Sequence, residues 1–241
     1  MTNEVIKIDN LSKKFRNSLV VKNINFNISK GSIIGLLGPN GCGKTTTIGM
    51  MLGLIKPSSG SVIINGLNIE NNRTSLLEKM NFISPYIELP KKLTVEENLK
   101  VYGRLYGVKN LNKRIYELME KLNLTELKLR KTGELSSGQK NRVSLAKALV
   151  NEPEILLLDE PTASLDPDVG DYIRGFIESY AEKNKATILL ASHNMDEVER
   201  LCSEVMMMKD GKIIDKGKSK DLISKHGRKN LEEVFLKIVR E

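Results

Sequence analysis

A glycine-rich segment at residues 38–45 offers the clearest chemistry in the sequence. It reads Gly-Pro-Asn-Gly-Cys-Gly-Lys-Thr and matches the pattern G-x-x-x-x-G-K-[ST]. Glycines let successive backbone N–H groups point inward at phosphate oxygens, and a following helix adds the partial positive charge of its N-terminus. Lys44 is placed to reach the β- and γ-phosphates of a nucleotide, and the Thr45 hydroxyl to bind Mg²⁺. The predicted nucleotide-binding residues are Gly38, Pro39, Asn40, Gly41, Cys42, Gly43, Lys44, Thr45 and Thr46.

Two adjacent carboxylates, Asp159 and Glu160, follow an apolar run at residues 155–158. Acids at the C-terminal end of a parallel strand face the crevice in which such sheets bind ligands. Asp159 suits the Mg²⁺ shell, directly or through water, and Glu160 suits polarising a water that attacks in line with the γ-phosphate. An Asp-Glu pair alone is more often the solvated start of a loop. The phosphate-binding pattern upstream favours the catalytic interpretation.

A third segment narrows the class of nucleotide-binding protein. Residues 135–139 read Leu-Ser-Ser-Gly-Gln and resemble the signature of ATP-binding-cassette (ABC) proteins, usually Leu-Ser-Gly-Gly-Gln, with Ser137 replacing the first glycine. The resemblance implies that Ser136, Ser137, Gly138 and Gln139 contact ATP bound to the opposite subunit of a head-to-tail homodimer with two shared ATP molecules. Ser136 as a plain helix N-cap is an alternative that the sequence also satisfies.

Two further segments match the family in the right order. Residues 161–166, Pro-Thr-Ala-Ser-Leu-Asp, look like the family's D-loop, which implies that Asp166 reaches across the dimer. His193 follows a predicted strand at residues 187–191 and matches the family's switch histidine, which contacts the γ-phosphate and orients the water. A histidine after a strand is by itself usually structural, but its place after the next core strand favours the catalytic role.

The two remaining candidates are weaker. Phe15 lies where the family stacks an aromatic ring on adenine, and a phenylalanine ring can stack. Its alternative is to pack against the strands around it. His226, in a polar tail, is assigned no role, and Cys42 is interpreted as a small packing residue rather than a nucleophile. The resemblance covers essentially the whole chain and implies an ATPase that uses ATP and Mg²⁺, with Glu160 and His193 catalytic.

One position departs from the family. After the predicted strand at residues 81–84, ABC proteins normally place a glutamine whose side chain touches Mg²⁺ and the attacking water. This chain has Pro85 and Tyr86 there, and its sole glutamine is Gln139. Two alternatives stay open: the Tyr86 hydroxyl replaces the glutamine, or the contact runs through backbone and water. We expect an ATPase that is active but slow.

Alternating strands and helices must position these residues. The continuous apolar runs at 155–158 and 188–190 predict strands buried on both faces of a parallel sheet. Residues 61–66 and 208–215 look like hairpins or edge strands, the latter closed by Asp-Gly. From residue 94 to about 150 the apolar spacing is helical. The predicted strands are residues 5–8, 32–37, 61–64, 81–84, 155–158, 187–191, 205–209 and 212–215, and residues 46–54 are compatible with a helix.

The expected fold is therefore a single α/β ABC-type domain over residues 1–241. It comprises a P-loop NTPase (RecA-like) core with a mainly parallel sheet, an antiparallel β subdomain and an inserted α-helical subdomain. We place the core at residues 1–84 and 151–218, the helical subdomain at 85–150 and a C-terminal helical tail at 219–241.

Composition limits the function classes. The chain has 241 residues, 40% of them hydrophobic and 28% charged, so it can bury a core. The net charge of +8 is scattered among acidic residues, and only 5% of residues are aromatic, so nucleic acid is not an expected partner. Two cysteines, no signal-peptide pattern and no apolar run of about 18 residues predict a cytoplasmic protein without its own membrane span.

What the ATPase drives rests on weaker signals. Residues 93–99 and 102–107 resemble the helical lobe of bacterial exporter ATPases of the multidrug, polysaccharide or lipid kind, and residues 230–239 resemble their terminal segment, with an apolar face expected to pack on the core. The resemblance implies a subunit on the cytoplasmic face of the membrane, powering a separate transmembrane permease. The alternative is a soluble ABC ATPase without a permease, in cluster assembly or translation.

Overall fold

The computed structural model describes residues 3–85, 87–163 and 165–240, and its described strands form two sheets. The strands are β1 (Glu4–Phe15), β2 (Ser18–Ser29), β3 (Ile33–Leu37), β4 (Ser59–Ile64), β5 (Leu67–Asn68), β6 (Met80–Ile83), β7 (Ile155–Asp159), β8 (Thr187–Ser192), β9 (Glu204–Lys209) and β10 (Lys212–Gly217). The helices are α1 (Lys44–Met51), α2 (Ile69–Leu77), α3 (Val95–Leu105), α4 (Leu111–Lys121), α5 (Ser137–Leu149), α6 (Pro167–Asn184), α7 (Met195–Leu201), α8 (Ser219–His226) and α9 (Leu231–Arg240).

The larger sheet has the order β10-β9-β3-β8-β7-β6 and is parallel except for β10. Its central strands are buried on both faces, because alternate side chains enter two different hydrophobic clusters. Leu156 and Leu158 face one cluster, whereas Leu157 faces the other. The predicted mainly parallel core is therefore confirmed. The Asp210-Gly211 turn between β9 and β10 has positive φ at both residues, as the predicted hairpin requires.

The smaller sheet is antiparallel, in the order β2-β1-β4-β5, and confirms the predicted β subdomain. The sequence prediction was wrong about its extent: β1 runs beyond residues 5–8 to Phe15, and β2 and β5 were not predicted. Register shifts along β1 break the alternation of buried and exposed residues on which a strand prediction depends. In β2, residues 24–28 alternate between buried apolar residues and exposed asparagines, a pattern that favours a strand and that the sequence analysis did not use.

Helices α3, α4 and α5 lie between β6 and β7 in the sequence, where the helical insertion was predicted. Leu99, Ile115 and Leu118 are buried in the cluster that also covers one face of the parallel sheet. Thr94 caps α3 by accepting from the Glu97 N–H, while the Glu97 carboxylate accepts from the Thr94 N–H. The subdomain boundaries at residues 84/85 and 150/151 stay a prediction.

The C-terminal helices pack onto the core. Leu231, Val234 and Ile238 of α9 are buried, as the sequence analysis expected of this face. Helix α8 is held to β10 by Asp215, whose carboxylate lies 2.8 Å from both His226 Nε2 and Lys225 Nζ. His226, which sequence reasoning left without a role, therefore anchors a helix.

A lysine is buried where α5 meets β6 and α3. The Lys147 ammonium lies 5.4 Å from the centroid of the Phe82 ring and 5.3 Å from that of Tyr102. Its Nζ is 3.5 Å from the Asn81 Oδ1 and the Phe82 carbonyl oxygen, at the limit of hydrogen bonding. Burial lowers the pKa of Lys147 to about 8. Where α5 of the helical insertion meets β6 of the sheet, the contact therefore includes a buried lysine that has lost most of its hydration.

This cation makes stability depend on pH. The folded-state pKa of Lys147 is about 8, below an unfolded-state pKa of about 10.4, so between these values the unfolded state binds more protons and stability rises with pH. We expect the difference in unfolding free energy between Lys147→Met and the wild type to fall by about 2 kcal/mol from pH 7 to 9.5. Urea denaturation at several pH values measures it, with the exposed Lys183→Met as control. Parallel pH profiles for Lys147→Met and the wild type would refute the expectation.

Candidate functional site

The phosphate loop, residues 38–45, connects β3 to α1 and lies against the end of β9. A Cβ added to Gly38 would come within 2.4 Å of the Met208 carbonyl oxygen and 2.6 Å of Cys42 Sγ, so a side chain has no room there. Gly43 has φ 113°, a conformation that other residues rarely adopt. The loop glycines therefore serve close packing and backbone curvature. Cys42 is buried, and burial raises the pKa of its thiol, which agrees with the packing interpretation.

Lys44 is the first residue of α1, which begins two residues earlier than the predicted 46–54 because the helix starts inside the phosphate loop. Its buried ammonium donates to the Gly38 carbonyl at 2.6 Å and lies 3.4 Å from the Pro39 carbonyl oxygen. The same nitrogen is 3.7 Å from Glu160 Oε1. A positive charge is thus held at the centre of the loop, where phosphate oxygens are predicted to bind.

Thr45 and Asp159 are in contact, as the predicted metal site requires. The Thr45 hydroxyl donates to Asp159 Oδ2 at 2.8 Å, and the Asp159 side chain is almost fully buried. Burial raises the pKa of Asp159, the nearby charge of Glu160 raises it further, and hydrogen bonds from Thr45 and Ser84 oppose the rise.

The residues present fit a magnesium ion. Hydroxyl and carboxylate oxygens are its preferred ligands, and a desolvated carboxylate gains from a neighbouring cation. Within the described ranges no group of three or more His, Cys, Asp and Glu side chains could hold a metal by itself. A magnesium ion at Thr45 and Asp159 would therefore need oxygens of a bound phosphate as well.

Glu160 and His193 are brought together by neighbouring parallel strands. The His193 Nδ1 lies 2.8 Å from Glu160 Oε1, and the Glu160 N–H donates to the Ala191 carbonyl at 2.8 Å. Glu160 has φ 52°, an unusual backbone conformation for a glutamate and one that clusters at functional sites. The carboxylate and imidazole are at ion-pair distance without hydrogen-bond alignment, so among the described residues Oε1 is a buried acceptor with no hydrogen bond.

Two cavities meet at Glu160. The phosphate cavity, of about 320 Å³, is lined by the loop together with Lys44, Thr45 and Asp159. The second, of about 450 Å³, is lined by Glu160, His193 and Ser137 among others. Glu160 therefore presents one carboxylate to both spaces.

The signature segment begins helix α5. Ser136 Oγ accepts from the Gln139 N–H at 3.3 Å, and Gln139 Oε1 accepts from the Ser136 N–H at 3.0 Å, which confirms the N-cap alternative. Ser137 is the first helical residue, a position that needs no glycine. Ser136 and Ser137 are exposed, and among the described residues none of the signature lines the phosphate cavity of its own chain. Ser136 and Ser137 therefore remain accessible to a ligand bound to another chain.

The other candidates are not drawn into the phosphate cavity. Phe15, at the end of β1, is 44% exposed and has the Lys13 ammonium 4.8 Å from its ring centroid, so it is not packed into the sheet around it. Asp166 is exposed at the N-terminus of α6 and makes no side-chain capping bond. Pro85 lines the second cavity, and Tyr86 lies outside the described residues.

Sequence reasoning missed two polar residues beside the site. Ser84 hydrogen-bonds Asp159 from the end of β6, the strand next to β7. Glu197 of α7 is buried and accepts hydrogen bonds from Thr162 and Ser192. The available signals were a hydroxyl at the end of a core strand and an acid in the first turn of the helix that follows His193, but neither type of residue is unusual in such places.

Comparison with known proteins identifies the family. Residues 21–163 match the ABC transporter family. The chain is 37% identical to the Nod factor export ATP-binding protein I of Burkholderia lata, over 90% of this chain and 72% of that protein. It is 38% identical to the bacitracin transport ATP-binding protein BcrA of Bacillus licheniformis, over 95% and 74%, and 34% identical to the linearmycin resistance ATP-binding protein LnrL of Bacillus subtilis, over 98% and 76%.

Solved structures agree. An ATP-binding subunit of an ABC transporter superposes with a TM-score of 0.89 at 26% identity, covering 97% of this chain and 98% of that one. The ATP-binding cassette MJ0796, a dimer in a post-hydrolysis state with ADP and Pi, superposes with a TM-score of 0.83 at 27% identity, covering 88% and 98%. None of the helices in the described ranges is long and apolar enough to cross a membrane. This chain belongs to the ABC transporter family, as an ATP-binding subunit that hydrolyses ATP to energise transport.

Proposed function

We propose that the chain is the motor subunit of an exporter whose membrane-spanning permease is a separate polypeptide. Relatives that match at least nine-tenths of the chain are named for Nod factor export, bacitracin transport and linearmycin resistance. For hydrolysis, the observation that carries the proposal is the contact of Glu160 with His193 beside the phosphate loop. The subunit acts on the cytoplasmic face of the membrane through that permease.

The phosphate loop binds the nucleotide. Backbone N–H groups and the Lys44 ammonium bind the phosphates, and Thr45 with Asp159 holds Mg²⁺. When bound, Mg²⁺ neutralises charge that develops on the phosphate oxygens. The side chain of Phe15 is free enough to stack on the base.

Glu160 positions the attacking water. Its Oε1 is a buried acceptor without a hydrogen bond among the described residues, so it can take one from a water molecule. The Lys44 ammonium lies 3.7 Å from the same oxygen, on the side of the phosphate loop. His193 is 53% exposed, so its ring can reach from Glu160 towards the γ-phosphate. The pair aligns the water and receives its proton as the bond from the water oxygen to the γ-phosphorus forms and the bond from that phosphorus to the bridging β-phosphate oxygen breaks, which releases ADP and phosphate.

A second copy of the chain completes each site. Ser136 and Ser137 are exposed, and among the described residues the signature segment does not line its own phosphate cavity. The related cassette MJ0796 is dimeric. Two chains in head-to-tail contact place Ser136–Gln139 of each against the ATP of the other, with Asp166 crossing the interface. Closure on two ATP molecules and reopening after hydrolysis would move the helical insertion against the permease.

Glu160→Gln separates binding from hydrolysis. The amide keeps the shape of the side chain but cannot take a proton, so we expect ATP binding to persist and turnover to fall by about a hundredfold or more. The variant should accumulate as a dimer with ATP, whereas Lys44→Ala should lose ATP binding or turnover. Phosphate release and size-exclusion chromatography measure these outcomes, and wild-type turnover in Glu160→Gln would contradict the assignment.

Asp159→Asn should stabilise the free protein and impair its ligand binding. Burial raises the pKa of Asp159, so the ionised carboxylate costs stability at neutral pH and a neutral amide removes that cost. We expect a higher Tm without ligand and a smaller Tm increase with ATP and Mg²⁺, because stabilisation by a ligand grows with the logarithm of its affinity. Thermal unfolding with and without each ligand tests this. An unchanged increase with ATP and Mg²⁺ would exclude Asp159 from the metal site.

The exporter role predicts a membrane partner. A neighbouring reading frame should encode a protein with several hydrophobic spans, and co-expression should move this chain into the membrane fraction and allow both to be purified together. The chain expressed alone is the control. If the chain stays out of the membrane fraction despite co-expression and instead cofractionates with ribosomes or a soluble assembly complex, the permease-independent class is favoured.

A further inference from the structure

Glu197 is a buried carboxylate whose two oxygens are both used. Its side chain is 1% exposed on α7. The Thr162 hydroxyl donates to Oε1 at 2.8 Å, and the Ser192 hydroxyl donates to Oε2 at 2.7 Å. A single carboxylate therefore ties together two segments of chain that are far apart in sequence.

These two segments carry the proposed catalytic pair. Thr162 is two residues after Glu160, and Ser192 directly precedes His193. The Ser192 hydroxyl also accepts from the Asn194 N–H at 3.0 Å, so its orientation is fixed from both sides. Any movement of Thr162 relative to Ser192 would change the 2.8 Å separation of Glu160 Oε1 from His193 Nδ1.

The same network reaches the signature helix. Asn141, on α5, donates from its amide to the Pro161 carbonyl at 2.7 Å, and Pro161 directly precedes Thr162. A continuous chain of hydrogen bonds and short covalent links therefore runs from α5 through Thr162 and Glu197 to Ser192. One end lies on the helix that begins at the signature segment, and the other end lies beside His193.

The chemistry of the position argues against simple filling of the core. Burial raises the pKa of Glu197, which shows that the surroundings offer its charge incomplete compensation. Apolar side chains of similar volume often serve a protein's stability at least as well as a buried ionisable group. What an apolar side chain cannot do here is accept from two hydroxyls and hold both segments in one geometry.

We propose that Glu197 is a positioning residue for ATP hydrolysis, which fixes the spacing of Glu160 and His193 and links that pair to the signature helix through Thr162. This inference rests on the proposed function, because it assigns Glu197 an effect that acts through Glu160. Among the described residues, the Glu197 carboxylate is hydrogen-bonded to Thr162 and Ser192 and not to the phosphate loop, so it acts through other residues.

The test compares Glu197→Met, which has similar length and no acceptor, with Glu197→Gln, which can still join both hydroxyls. Displacement of a catalytic group by about 1 Å can cost up to about a hundredfold in rate. We expect Glu197→Met to lower kcat by about tenfold to a hundredfold with the KM for ATP unchanged, and Glu197→Gln to restore kcat to within about threefold of the wild type. Asp196→Met, at an exposed position of the same helix, is the matched control and should leave kcat unchanged.

A second pair of variants covers the case in which Glu197→Met fails to fold. Thr162→Val and Ser192→Ala each remove one donor, and each should lower kcat without changing ATP binding. In the Glu160→Gln background neither should lower the residual rate further, because residues that act through one group are not additive. Wild-type kcat in both donor variants, or equal loss of kcat and ATP binding, would overturn the inference.

The two proposals fail in different ways. If Glu160→Gln turns over ATP like the wild type, the proposed catalytic pair is wrong whatever the Glu197 variants do. If Glu160→Gln is inactive but the Glu197 and Thr162 variants are normal, only the positioning role is wrong.

Discussion

Parallel pairing of β3 with β8, and of β8 with β7, brings Leu37, Ser192 and Asp159 to the same edge of the sheet. The phosphate loop continues from β3, Glu160 follows β7 and His193 follows β8. Because these strands are buried on both faces, their register is held by close packing in two hydrophobic clusters. The register of these strands therefore sets the distances between the phosphate loop, Glu160 and His193.

Among the described residues four charged side chains are buried, two of them in the phosphate cavity and the others on α7 and α5. Lys44, Asp159, Glu197 and Lys147 are all buried, although isolated buried charges are costly. Each charge is partly compensated by neighbouring groups. Lys44 donates to a loop carbonyl, the two acids accept from hydroxyls, and the Lys147 ammonium lies against aromatic rings. Burial raises the pKa of both acids and lowers that of Lys147, so the compensation is partial. Because the charges in the nucleotide site are only partly compensated without ligands, we expect bound phosphate and cation to stabilise the protein.

The network around Glu197 gives the signature helix a physical connection to the catalytic pair within one chain. In the proposed dimer, each signature segment contacts the other chain's ATP, so α5 of one chain responds to the neighbouring site. The hydrogen bond from Asn141 to the Pro161 carbonyl would carry that response towards Glu160. The sequence has Pro85 and Tyr86 where the family resemblance leads us to expect a glutamine, which gives other connections between the helical insertion and the site more weight.

The sequence by itself determined the chemistry and the fold class. The spacing within residues 38–45 is local, and each continuous apolar run needs two covered faces, so both could be recognised without coordinates. The prediction missed β2, although the alternation of apolar residues and asparagines there favours a strand, and it misplaced the start of α1, where the helix begins within the loop. Only the tertiary structure decided that Glu160 meets His193, that Ser84 reaches Asp159 and that Glu197 joins Thr162 to Ser192. Those contacts join residues from different strands and helices, and strand order and register, which no local pattern encodes, set their distances.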